Sequence, residues 1–151
     1  MDKQIVHWRV DVESKYSPMV ICTQKGWRFD AGIKIMICDV EFYANPSLEE
    51  VIPGLYVWRI TDGMTGARVF ESEPVPEEEV DAYLEDLVFQ FSVHLATRSN
   101  GDINVIKSKC QKVLAEYEER FGKKPETFPE EFLKKVEQMN AITLQTGEIV
   151  H

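Results

Sequence analysis

The stretch ESEPVPEEEVDAYLEDLVFQF, Glu71–Phe91, divides this chain of 151 residues. Upstream of it the apolar residues recur with a period of two; downstream they recur with the period of a helix. Pro74 and Pro76 end the preceding strand. Pro76 suits a first helical position, where its missing N–H leaves nothing unsatisfied. Glu77, Glu78 and Glu79 then fall in the first turn, where the positive end of the helix dipole favours carboxylates. The segment Glu71–Asp86 holds eight acids and no base, and much of that run is accounted for as a helix start.

Upstream, Val6, Trp8, Val10 and Val12 alternate with His7, Arg9 and Asp11, so Ile5–Val12 reads as a half-buried strand. Ser17–Gln24 reads as a second strand, with Gln24–Phe29 as the turn region that closes it. Gly32–Ala44 reads as one long third strand. Its middle is apolar on both sides, the pattern of a strand covered on both faces. Asn45–Gly54 reads as a loop. LYVWRI and RVFES flank TDGMTGA, where Asp62-Gly63 and Gly66 supply positive φ for a hairpin.

Downstream, Val80, Tyr83, Leu84, Leu87, Val88, Phe91 and Leu95 follow helical spacing until Asn100-Gly101. Asp102 is placed to cap a second helix with the stripe Ile103, Ile106, Cys110, Val113, Leu114, Tyr117 and Phe121, which Gly122 ends. A third begins near Pro129 and presents Phe132, Leu133, Val136 and Met139. The expected fold is therefore α+β: about five mostly antiparallel strands (residues 4–72), then three helices (about 76–98, 103–121 and 129–139). The first helix is packed on the sheet. The length suits a single domain over residues 1–151, with 141–151 as a C-terminal strand or arm.

The net charge is −9. Residues 1–75 carry 8 bases and 11 acids, and residues 76–151 carry 9 bases and 15 acids, so neither half attracts a nucleic-acid backbone. Direct nucleic-acid binding is not expected. No apolar run of membrane-spanning length occurs, and the first ten residues do not have the form of a secretory signal. Cys22, Cys38 and Cys110 are odd in number and far apart, which reads as reduced thiols in a cytoplasmic protein rather than a disulfide framework or zinc site.

The chain lacks nucleotide-binding glycine loops, H-E-x-x-H and G-x-S-x-G. No catalytic, cofactor or metal site is expected. Asp39 and Glu41 are two apart on a strand, and His94 lies one turn before Arg98; each is read first as an ordinary boundary residue. The first helix carries the more telling signal. At ~100° per residue, Val80, Leu84, Leu87, Val88, Phe91 and Leu95 gather on one side, while Ala82, Phe89, Val93 and Ala96 gather on the other. A helix apolar on two sides must be covered on both, by the later helices or by another chain.

The leading expectation is thus a non-enzymatic cytoplasmic protein-binding or assembly module. Its partner is a second protein or a second copy of itself in a homodimer. The surface would use Trp58, Ala82, Phe89, Val93 and Ala96, with Glu78, Asp81 and Glu85 at its margin. An alternative is an acidic inhibitor that mimics nucleic acid, with Glu71, Glu73, Glu77, Glu78, Glu79, Asp81, Glu85 and Asp86 standing for phosphates. A second alternative is a small enzyme with a site near His94 and Asp39.

Overall fold

The computed structural model describes residues 8–48 and 52–146, with side chains through 141. The expected start of the first strand at 4–7 and the end of the expected arm at 147–151 lie outside the described residues. The strands are β1 (Val10–Thr23), β2 (Gly26–Ile37), β3 (Val40–Leu48), β4 (Leu55–Asp62), β5 (Arg68–Glu71) and the two-residue β6 (Val75–Pro76). Every pairing is antiparallel, in the order β1-β2-β3-β4-β5, with β6 also against β4. A 3-10 turn over Glu77–Glu79 leads into α1 (Val80–Ser99), followed by α2 (Ile103–Phe121) and α3 (Glu130–Thr146).

The architecture is the expected α+β meander followed by three helices, but the strands are divided differently. The two strands read at Ile5–Val12 and Ser17–Gln24 are one, β1, with a register shift between Val12 and Tyr16 that absorbs the break in alternation. Pro18 is tolerated inside it because β1 is the edge strand. The single strand read at Gly32–Ala44 is two. Ile37 pairs with Val40, leaving Cys38 and Asp39 as a two-residue turn, and Cys38 takes φ 56°. Paired residues share a face, so the inward set passes from Ile33, Ile35 and Ile37 to Val40, Phe42 and Ala44 across that turn. What reads in sequence as apolarity on both sides of one strand is a hairpin whose inward parity changes.

The segment 45–48, read as loop, continues β3 against β4 from Asn45↔Arg59 to Leu48↔Tyr56. The Asp62–Ala67 turn closes as expected, with the Asp62 N–H donating to the Ala67 carbonyl and the Gly66 N–H to the Asp62 carbonyl. The helical pattern past Met139 does not stop, and α3 runs on to Thr146 in place of the strand or arm expected from 141.

The core lies between the sheet and α1. Ile35, Ile37, Phe42, Ala44, Trp58 and Ile60 meet Val80, Leu87, Phe91 and Leu95, all within a tenth of full exposure or less. The Phe91 ring stands edge-on to Phe42 at 4.8 Å and tilted against Phe70 at 5.6 Å. α2 adds Ile106 and Cys110 to this cluster. α3 packs elsewhere, bringing Val136, Phe132 and Met139 to Tyr16, Ala31 and Ile33.

The β1–β2 hairpin outruns β3, whose pairing with β2 ends at Ile33↔Ala44. Its tip curls until the Cys22 N–H donates to the Gly66 carbonyl at 2.8 Å. Gly66 has φ 74°, and a Cβ there would stand 2.8 Å from the Cys22 nitrogen, so only glycine admits this approach. The end of α2 holds the same tip, with the Trp27 indole N–H on the Gly122 carbonyl at 3.0 Å.

Candidate interaction surface

The sequence builds α1 so that its start is pinned and its outer side is left open. The Trp58 indole N–H donates to the Val80 carbonyl at 3.0 Å, tying the first turn to β4. Val80 is fully buried, which fixes the rotation of everything after it. Asn100, left-handed at φ 53°, ends the helix, and its N–H returns to the Ala96 carbonyl.

With that rotation set, Leu87, Phe91 and Leu95 face the sheet and Leu84 and Val88 are half-buried. Phe89 is 71% exposed and Val93 49%. Ala82 is exposed beside them and Ala96 is half-buried. These four fall within ~60° of the helix circumference. Neither α2 nor α3 covers Phe89 or Val93: α2 joins the inner core and α3 lies against β1. The structure therefore brings Ala82, Phe89, Val93 and Ala96 together as one outward strip.

The acids are distributed around it unevenly. Glu78 is exposed on the 3-10 turn ahead of the strip, and Glu85 and Asp86 are exposed on its two flanks. None of the three forms an ion pair among the described residues. Asp81 is instead half-buried and close to Tyr16, whose phenol is held well above its ordinary pKa first by burial and then by the Asp81 charge. That inward position takes Asp81 away from the strip's margin. Asp86, expected only among the acids of the inhibitor reading, takes the margin opposite Glu85, where helical spacing from Phe89 places it.

Trp58 is corrected more strongly. It is fully buried at the centre of the core, so it cannot anchor a partner from the surface. The alternation of Tyr56, Trp58 and Ile60 identifies a shared strand face; α1 turns out to cover that face.

The other candidate groups are occupied locally. Asp39 sits on the β2–β3 turn and accepts from the Lys107 ammonium at 2.5 Å, which holds its carboxyl below the usual range. Glu41 pairs with Lys34 at 2.9 Å, so the two carboxylates serve different lysines. The His94 ring lies tilted against Phe70 at 5.2 Å, and burial, aided by the Arg98 charge, lowers its pKa. The Cys110 thiol is pushed up to about 12, mainly by burial and then by its hydrogen bond to Asp62, which leaves it protonated and a poor nucleophile. Asp62 itself is buried and holds the hairpin turn, accepting from the Met64 N–H and the Thr65 hydroxyl.

An open depression of about 490 Å³ runs along α2, lined by Asp102, Asn104, Val105, Ser108, Lys109 and Lys112, without any histidine. Among the described residues no group of three His, Cys, Asp or Glu side chains converges on a point, and no helix is long and apolar enough to cross a membrane. No protein-family model, curated protein or solved structure matches this chain.

Proposed function

We propose that this chain is a non-enzymatic protein-binding or assembly module of the cytoplasm, and that the outer strip of α1 is its contact surface. The observation that carries this reading is Phe89. It is a large apolar side chain 71% exposed in the middle of a long helix, with half-exposed Val93 one turn on. Apolar side chains clustered on one exposed face favour a covering partner. The rest of the strip adds small side chains that let another backbone approach.

The test is Phe89→Asp, followed by light scattering and by a melting curve. A variant that melts as the parent does but loses an assembly or a captured partner supports the proposal. A parent that binds nothing and remains monomeric, paired with a variant that unfolds, refutes it. The acidic-inhibitor reading draws on the same helix, because Glu77, Glu78, Glu79, Glu85 and Asp86 are exposed. It is less well supported, since Glu71 is already engaged by Arg59 at 3.1 Å and Arg68 at 3.0 Å. Glu77–Glu79 are explained by the start of the helix.

A further inference from the structure

We infer that the occupant of the α1 strip is a basic amphipathic helical segment of another protein, not a second copy of this chain. The inference rests on the reading of the strip as a contact surface, and it is carried by charge and by area.

The outward side of α1 presents Glu78, Glu85, Asp86, Gln90, Ser92 and Thr97 around the apolar residues, with no lysine or arginine among them. Ser92 and Thr97 are turned back on the helix, their hydroxyls donating to the Val88 and Val93 carbonyls. A second copy, parallel or antiparallel, would therefore set these acids against other acids or against neutral side chains. It would also bring two chains of net charge −9 together. A segment with lysine or arginine on both sides of an apolar stripe meets Glu85 on one flank and Asp86 on the other, while its small and apolar residues meet Ala82, Phe89, Val93 and Ala96.

Area points the same way. A covered phenylalanine buries ~150–250 Å², so at 71% exposure Phe89, with Val93, offers on the order of 200–250 Å² of apolar surface. A stable pairing of two globular chains buries about 800 Å² on each. The strip is one helix wide and, from Ala82 to Ala96, about 21 Å long, which is the footprint of a single helix of about four turns laid along it.

The experiment uses three synthetic peptides of about five helical turns, each with leucine at i, i+3/i+4 and i+7 spacing. Their flanking positions are lysine, glutamine or glutamate. Fluorescence anisotropy is read with the full chain, with Phe89→Gln and with the double variant Glu85→Lys/Asp86→Lys, and sedimentation equilibrium is run on each protein. The lysine peptide is expected to bind at least about ten-fold tighter than the glutamate peptide, and to weaken between about 50 and 500 mM salt. Phe89→Gln lowers that affinity about ten-fold or more, and the double charge reversal inverts the preference toward the glutamate peptide. A preference that survives the charge reversal places the peptide elsewhere and overturns the inference. A parent dimer that Phe89→Gln dissociates makes the second copy the occupant: the inference fails while the contact-surface reading stands. A monomeric parent that binds all three peptides equally, with no effect of Phe89→Gln, overturns both.

Discussion

Phe89 and Phe91 are two residues apart on α1, and the structure gives them opposite values to stability. Phe91 is fully buried, edge-on to Phe42 at 4.8 Å and against Phe70 at 5.6 Å. Truncating a buried phenylalanine to alanine costs about 3–5 kcal/mol in transfer and cavity terms. The two lost ring contacts place Phe91→Ala toward the upper part of that range. Domains of this size carry about 5–15 kcal/mol in all, and each kcal/mol moves Tm by about 2–4 °C, so the melt should fall by roughly 8–20 °C. Phe89 is 71% exposed. Its truncation removes no core contact and replaces a modest helix former by the best one, so Phe89→Ala should stay within about 0.5 kcal/mol of the parent.

Urea unfolding followed by circular dichroism and by tryptophan fluorescence, to which buried Trp58 contributes with Trp8 and Trp27, reads both variants, with a common slope as the check on two-state behaviour. The comparison is made at two protein concentrations, because an assembly adds apparent stability by mass action. A loss of 2 kcal/mol or more for Phe89→Ala, independent of concentration, would place Phe89 in the interior of the single chain and refute the rotation of α1 on which the strip depends. A loss that grows with concentration would instead show the strip covered by another copy.

Three further outcomes follow from the geometry. Gly66→Ala should destabilise by more than about 2 kcal/mol, since its Cβ meets the Cys22 and Val20 backbone at 2.8–2.9 Å as well as needing φ 74°; Gly54→Ala, at φ 84° with open space around it, should cost only the ~1 kcal/mol of the left-handed conformation, and paired thermal melts compare them. Asn140→Ala should cost about 1–3 kcal/mol and speed hydrogen exchange at the Tyr16 amide, because the Asn140 carboxamide accepts from the Tyr16 N–H at 2.7 Å and donates to its carbonyl at 2.8 Å. Burial and Arg98 lower the His94 pKa in the folded chain, so the unfolded chain takes up the proton first: stability should fall as pH drops through the ordinary histidine range, and His94→Gln should flatten that part of a urea-midpoint against pH curve.

The fold class was legible because period is a local property. The change at Pro74–Pro76 separates sheet from helices, Asp102 does cap α2 by accepting from the Asn104 N–H, and Gly122 does end it. The strand divisions were less legible, for a reason that can be stated. A two-residue turn at Cys38-Asp39 leaves no glycine or proline to mark it, and Cys38 itself takes the positive φ. The parity change from Ile37 to Val40 was the available signal, and it imitates a strand buried on both faces. In β1 the reverse happened: the irregularity at 13–15 and Pro18 look like an ending, yet an edge strand accommodates both. Asn140 and Tyr16 are 124 residues apart, so no local pattern announces that pair.

For the surface, periodicity could sort α1 into two apolar sides but could not say which would be covered. That depended on where α2 and α3 pack, and hence on tertiary contacts with no local code. α2 contributes Ile106 and Cys110 to the main core, with Ile103 packed at its edge, and its far end is drawn to the β1–β2 tip by Trp27, Tyr117 and Gly122. α3 is held at β1 by Asn140 and Val136. Both helices are thereby committed to other parts of the sheet, and the Phe89 side of α1 stays outward. The flanking acids then have a physical consequence that does not depend on any partner. Like charges on both sides of an apolar strip oppose the approach of another copy of the same acidic chain more than they oppose a cationic one. On the proposed reading of the strip, exposed Glu85 and Asp86 would disfavour self-association there and favour an occupant of positive charge.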